Sequence, residues 1–422
     1  MKLMWLALTG LLLLACLTLA WAQRQQRRVI SGPERTGSAA TARVKTITLK
    51  AGDDLQKALN AAQGGDEIIL QAGATFTGPF TLPYKGGNSS AYITIRSSAP
   101  AASLPAAGVR MTPAYASLLP KLVSPGLGQP ALRTAAGAHH YRFIAIEIAP
   151  VDEAAFVYEL VTLGNYGAAQ DTPDEIPHHL SFDRCYIHAF ARQSLKRGVT
   201  LNSAATEVIN SYVAGFKVVG QDSQAVMGWN GPGPFRIINN YLEAAGENVL
   251  FGGASVTVAG VVPSDIEVRG NYLTKPLSWR EGEASYAGVR WSVKNLFELK
   301  SGRRVWVEGN VFEHSWRDGQ VGFAILLTPL DQDGRSPWSG VVEDVMLTNN
   351  IVRGAASGIQ LKHYQTPVRR VTVRNNLFTG IDGGRWCGAE CSSGQFLEVE
   401  TAQDVRVEHN TVLHTGNVIS AL

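Results

Sequence analysis

Val371-Thr372-Val373-Arg374-Asn375-Asn376-Leu377-Phe378 reads apolar-x-apolar-x-x-Asn-x-apolar. The register recurs at Val405/Val407/Asn410/Val412, Val345/Leu347/Asn350/Val352 and Val305/Val307/Asn310/Phe312. Upstream it gives Ile266/Val268/Asn271/Leu273 and Phe235/Ile237/Asn240/Leu242. Three weaker copies carry Ser211, Cys185 and Ile146 in the Asn position. Successive key positions lie 26 to 40 residues apart, and a period of this size sets the architecture before any single residue is considered.

Apolar residues within each copy alternate with period 2, and Val, Ile, Phe and Thr dominate, so the copies are strands. A second strand precedes each one, as in Val199–Leu201, Phe297–Leu299, Ile325–Leu327, Ile359–Leu361 and Leu397–Val399. Such units cannot bury an apolar face alone. Stacked, they share one core and hydrogen-bond coil to coil, which makes an all-β parallel β-helix solenoid. The Asn falls where the chain bends, and its amide can both donate and accept along the stack. Cys185, Ser211 and Ile146 imply that the early coils close this bend differently. A propeller would need antiparallel hairpins with Asn-Gly-type turns, and few occur between these strands.

The repeat has a distinct start. Asp53–Ala62 reads as a short amphipathic helix suited to covering the open end of a solenoid. With Gly64–Gly73 (GGDEIILQAG), Thr75–Pro83 (TFTGPFTLP) and Tyr92–Ser98 (YITIRSS), this entry resembles that of right-handed parallel β-helix proteins of the pectate-lyase-like superfamily. Together with the later coils, the resemblance covers roughly residues 46–422 and implies a fold, not a reaction. Asn417–Leu422 reads as the first strand of a further coil, which implies a truncated chain or another molecule over that end.

The 422 residues are 45% hydrophobic, with 43 Gly, enough for a long core with many turns. A net charge of +3 is too small to point to nucleic acid. Met1–Ala22 reads as a cleavable secretory signal, which implies an exported, secreted, periplasmic or cell-surface protein. Membrane attachment would require that segment to remain as an anchor, or Leu13–Cys16 to act as a lipoprotein box. Residues 23–45 form a basic, Gly/Ser/Pro-containing leader, and 46–422 the β-helix domain. Cys387 and Cys391 share one loop and could pair in an oxidising compartment, while Cys185 reads as an interior residue.

Outward positions of the strand before each repeat should stack into a ladder: Thr200 and Asn202, Asn248, Glu298 and Lys300, Thr328, Gln360 and Lys362, Glu398 and Glu400. Long loops flank it, making a groove suited to an extended polymer. Five of the seven Trp after the signal fall in loops or bends: Trp279, Trp291, Trp316, Trp338 and Trp386. Their rings would either stack on sugars or pin the loops to the barrel. Trp229, Asn230, Trp316, Trp338, Lys362 and His363 are the candidate substrate-binding residues.

Glu298-Leu299-Lys300-Ser301 resembles the acidic-strand-then-Lys arrangement of chondroitinase-B-like and alginate-lyase-like β-helix enzymes. The resemblance implies a Lys300 base, carboxylates near a calcium ion and a partner Arg. Only one Glu precedes Lys300 here, however. Lys300, Glu298, Arg317 and His314 are the catalytic candidates, the last two from the polar run Asn310–Asp318. Glu398 and Glu400 share a strand face, ~7 Å apart, which suits a cation site, an acid/base pair or a solvated surface. The acidic clusters of polygalacturonases and the Arg-rich signature of classical pectate lyases are absent. The expectation is an exported polysaccharide lyase-like enzyme acting on an acidic glycan, with calcium as the one implied cofactor. The alternative is a non-catalytic carbohydrate-binding or surface-interaction solenoid.

Overall fold

The structure, a computed structural model, describes residues 44–87, 89–388 and 394–422. The expected signal Met1–Ala22, the leader as far as Arg43, and Cys391 lie outside the described residues. Three parallel sheets hold 12, 11 and 11 strands. Sheet one runs from Thr46–Leu49 to Ala402–Glu408, sheet two from Thr75–Thr77 to Thr411–His414, and sheet three from Phe80–Leu82 to Ile419–Ala421. A typical coil visits them in that order, as Val342–Thr348, Ile351–Ala355 and Ser357–Leu361. This is the parallel β-helix that the repeat predicts.

Coils align residue on residue. Val305, Val345, Val371 and Val405 form one column of sheet one, while Val307, Leu347, Val373 and Val407 form the next inward column. Phe143 and Phe182 stack in that second column with centroids 4.9 Å apart. Period-2 alternation thus becomes continuous apolar stacks along the axis, each buried Val or Ile stabilising by about 1.5–3 kcal/mol relative to exposure.

The Asn position is an unbroken side-chain ladder. Asn271 Oδ1 accepts from Asn240 N at 2.8 Å and from Asn240 Nδ2 at 3.0 Å. The same pair of bonds links Asn271 to Asn310, Asn310 to Asn350, Asn350 to Asn376 and Asn376 to Asn410. Each amide also donates to a strand carbonyl, as Asn310 Nδ2 does to Val268 O at 2.8 Å. The residue before each rung is left-handed, with φ 56° at Asn239, 65° at Gly309 and 53° at Asn375, a conformation that Asn and Gly tolerate best. Early coils vary the chemistry as expected. Ser211 Oγ accepts from Cys185 N at 2.9 Å and donates to Ile209 O at 2.8 Å. Cys185 is unpaired, and burial pushes its thiol up to about 12. Cys387 is disulfide-bonded.

The entry helix spans Leu55–Ala61, with the Asp54 side chain accepting from Lys57 N at 2.9 Å as N-cap. Its Leu55, Ala58 and Leu59 are buried in the barrel core. Gln56 donates to Thr81 O and accepts from Thr81 N, both at 2.8 Å, on the first strand of sheet three. One side-chain amide therefore occupies the backbone groups of an edge strand, which is how the cap blunts that edge.

Candidate functional site

Sheet three carries two polar columns on its outer surface. The first is Glu159, Arg197, Gln224 and Glu247. Arg197 pairs with Glu159 and reaches Gln224 Oε1 at 3.3 Å, and Gln224 Nε2 donates to Glu247 Oε2 at 2.8 Å. The second column is Thr162, Thr200, Met227, Leu250, Glu298, Leu326, Gln360 and Glu398. This corrects the expected ladder. Leu250 and Leu326 flank Glu298, whereas Asn248 is buried and donates to Leu242 O and Thr274 O. Thr328 stands one position beyond Leu326's neighbour, level with Lys300 and not with Glu298.

Packed between two leucines, Glu298 is 1% exposed. Burial, reinforced by the nearby charge of Glu247, pushes its carboxyl up to about 7. Thr328 Oγ1 donates to Glu298 Oε1 at 2.9 Å, and Lys300 Nζ stands 4.0 Å from the same oxygen. Glu298 Oε2 is buried with no hydrogen-bond partner. Glu247 is fully buried too, with Lys294 Nζ 3.4 Å from its Oε1 and 2.7 Å from Asp222 Oδ1. Burial opposes the charge on Lys294, but Glu247 and Asp222 outweigh it and raise the ammonium to about 12. The result is an alternation of carboxylates and ammoniums under the surface of one sheet.

Beside this network lies a cleft of about 810 Å³. Tyr158, Tyr166, Trp229 and Trp338 line it with aromatic surface, and Arg197 and Arg335 with charge. Trp229 packs with Met227 and Leu250 of the second column, and the Arg197 guanidinium lies 5.2 Å from its ring. Lys300 lies behind the residues that line the cleft. Its Nζ is 3.4 Å from Gln332 Oε1, next to the lining residue Asp333. Its stem runs under the Gly252-Gly253 turn, where φ is 92° and 85°. A Cβ on Gly252 would lie 2.6 Å from Ser301 N, so only glycine lets the turn pass this close to the lysine.

The remaining candidates are spread over sheet three, sheet two and the loops. Asn230 is fully buried and ties loops together, its Nδ2 donating to Asn165 O and Gln170 O at 3.0 Å and its Oδ1 accepting from Thr257 N at 2.8 Å. His314 and Trp316 end a strand of sheet two. His314 Nδ1 meets Lys275 O at 3.1 Å, and Trp316 joins Trp279, Trp291 and Trp386 in a buried cluster with Arg317 at its rim. Four loop Trp therefore pin loops, while Trp338 is 36% exposed at the cleft. Lys362 pairs with Glu400 at 2.8 Å, beside the exposed His363. Glu398 accepts from Gln360 Nε2 and Gln395 Nε2, both at 2.6 Å. Glu398 and Glu400 are thus occupied by separate protein donors. Sequence reasoning paired Glu298 with Lys300 but missed Glu247, Lys294 and Arg197, whose alignment depends on loop lengths between coils.

No family model matches the chain, and no curated protein matches it by sequence. Among solved structures, the ORF18 protein of Geobacillus virus E2 aligns with TM-score 0.50 at 10% identity, over 86% of this chain and 60% of that one. An alginate lyase from a Paenibacillus species aligns with TM-score 0.42 at 13% identity, over 89% and 98% of the two chains. A pectate lyase aligns with TM-score 0.44 at 14% identity, over 79% and 76%. The likeness is one of fold.

Proposed function

We propose that this chain processes an acidic polysaccharide by β-elimination on the outer face of sheet three. One observation carries the reading: a lysine 4.0 Å from a buried carboxyl that burial pushes up to about 7, close behind an aromatic cleft lined by two arginines. Aromatic rings suit sugar faces, and guanidinium groups suit uronate carboxylates. In the proposed step the Lys300 Nζ takes the proton on the carbon beside the substrate carboxyl. The bond from the adjacent carbon to the glycosidic oxygen breaks, a carbon–carbon double bond forms, and the leaving oxygen takes a proton from the new ammonium. Glu298 acts through Lys300 as a positioning residue. Its carboxyl stands 4.0 Å from the Lys300 ammonium nitrogen and holds the end of that side chain in place.

The proposed step uses no calcium. Glu247 has Lys294 in range and Glu298 has Lys300, whereas calcium takes six to eight oxygens. No step is routed through calcium, and adding it to resin-treated buffer should leave the rate unchanged. An extracellular polymer as partner agrees with the expected export signal. No helix among the described residues is long and apolar enough to cross a membrane.

The test is a panel of uronate polymers, followed by the ultraviolet absorbance of the unsaturated product. At least one polymer should give a rising signal, and Lys300→Ala should abolish it with an unchanged circular dichroism spectrum. Binding without cleavage on every polymer would establish the non-catalytic alternative. Full activity in Lys300→Ala would remove this lysine from the reaction.

A further inference from the structure

Two adjacent coils each place a pair of histidines at the entry to sheet one, on a different sheet from the polar columns of sheet three. His139 aligns with His178, and the rings stack at 4.9 Å with an interplanar angle of 5°. His140 and His179 stack at 4.4 Å and 9°. Within each pair the Nδ1 atoms meet, at 2.8 Å for His139 and His140 and at 2.7 Å for His178 and His179. The backbone forces this presentation, since His140 and His179 are left-handed, with φ 58° and 55°.

Later coils use the same left-handed position differently. Arg304 bonds Asp265 at 2.6 Å, and Arg370 bonds Asp344 at 2.6 Å, so opposite charges meet from coil to coil. In the histidine coils no such complement exists. Among the described residues, the side-chain hydrogen bonds of these four rings run only to one another. Nitrogen atoms of His140, His178 and His179 lie within 4.8 Å of one another. Tetrahedral zinc with Zn–N bonds of 2.0–2.1 Å needs its ligand nitrogens about 3.4 Å apart, so binding turns the rings out of their stacked arrangement, the exposed His179 foremost. A cavity of about 610 Å³, also lined by Tyr84, Ser89 and Asp174, opens onto His139, His140 and His178.

We propose that His140, His178 and His179, with His139 stacked behind them, bind one divalent transition-metal ion of the zinc class, its remaining coordination position facing this cavity. Three imidazoles with an open position suit an ion that prefers nitrogen over oxygen ligands, and exclude calcium and magnesium as occupants. The site is independent of the sheet-three cleft, and neither reading depends on the other.

The experiment is titration of the untagged full chain with zinc chloride by calorimetry, followed by cobalt(II) in a spectroscopic titration. One ion per chain should bind saturably, and cobalt should give the visible absorption of nitrogen-ligated, low-coordinate metal. His140→Asn and His179→Asn should each weaken binding at least tenfold, since Asn tolerates the left-handed backbone. His178→Phe, which keeps the ring stack but loses the nitrogens, should do the same. Thermal melting of the metal-free variants checks that each folds. Absence of saturable zinc binding would overturn the proposal, as would affinity unchanged in all three folded variants.

Discussion

At the scale of single residues, Glu298 makes the sharpest prediction. Its carboxyl moves from an ordinary 4.5 up to about 7 on folding, because burial between Leu250 and Leu326 penalises the charged form. An acid whose pKa rises on folding contributes stability that is fully present below its unfolded pKa and is lost as pH rises through the folded one. Stability should therefore drain away between about pH 4.5 and 7. Glu298→Gln, which stays neutral, should gain on the parent across that window by an amount on the order of 3 kcal/mol. Urea unfolding at a series of pH values measures this, and a difference that stays flat with pH would show that Glu298 ionises freely in the folded chain. This residue and Lys300 were legible in the sequence because they share one strand face. Glu247 and Arg197 were not, since whether two residues on different coils touch depends on register across loops of unequal length. The four histidines had a visible signal: His139-His140 and His178-His179 each precede their repeat's key position, Ile146 and Cys185, by the same offset.

At the scale of elements, the Asn ladder is the chain's most redundant device and the one that the sequence displays most openly. Each rung is specified by one residue at one register, so no loop length intervenes between sequence and contact. What the pattern could not show is that the interior amides are fully used. Asn310 accepts from Asn271 N and Nδ2 and donates to Val268 O and Asn350 Oδ1. Asn310→Ala strips partners from four buried groups and should cost about 2–4 kcal/mol. Ser211 holds its own rung through a hydroxyl, so Asn310→Ser should fall between parent and Ala. Asn410, on the last rung and only partly buried, should cost less on the same change, about 1 kcal/mol. Denaturation midpoints rank the variants, and equal losses at Asn310 and Asn410 would mean that the ladder acts as a bend former with no dependence on burial.

At the scale of the whole described solenoid, stability is a sum of coil and interface terms, so its ends should differ from its middle. The two ends are closed differently. At the start, Leu55, Ala58 and Leu59 enter the core and Gln56 occupies the backbone of Thr81. At the other end, Val405, Val407 and Val412 are only partly buried, although Val371, Val373 and Phe378 in the same columns are buried. The apolar pattern is the same in both coils; the difference is that, among the described residues, no strand pairs on the far side of Ala402–Glu408 or Thr411–His414, which no reading of a single repeat could reveal. Local opening should follow this asymmetry. Amide exchange on this chain should be slowest in the coils from Phe235 to Leu361, intermediate at Thr75–Leu82, and fastest over Ala402–Ala421. Gln56→Ala should speed exchange at Thr81 and its neighbours while leaving the far end unchanged. A single rate of opening across all coils would instead make the solenoid one cooperative unit, and would reject the additive picture from which the gradient is drawn.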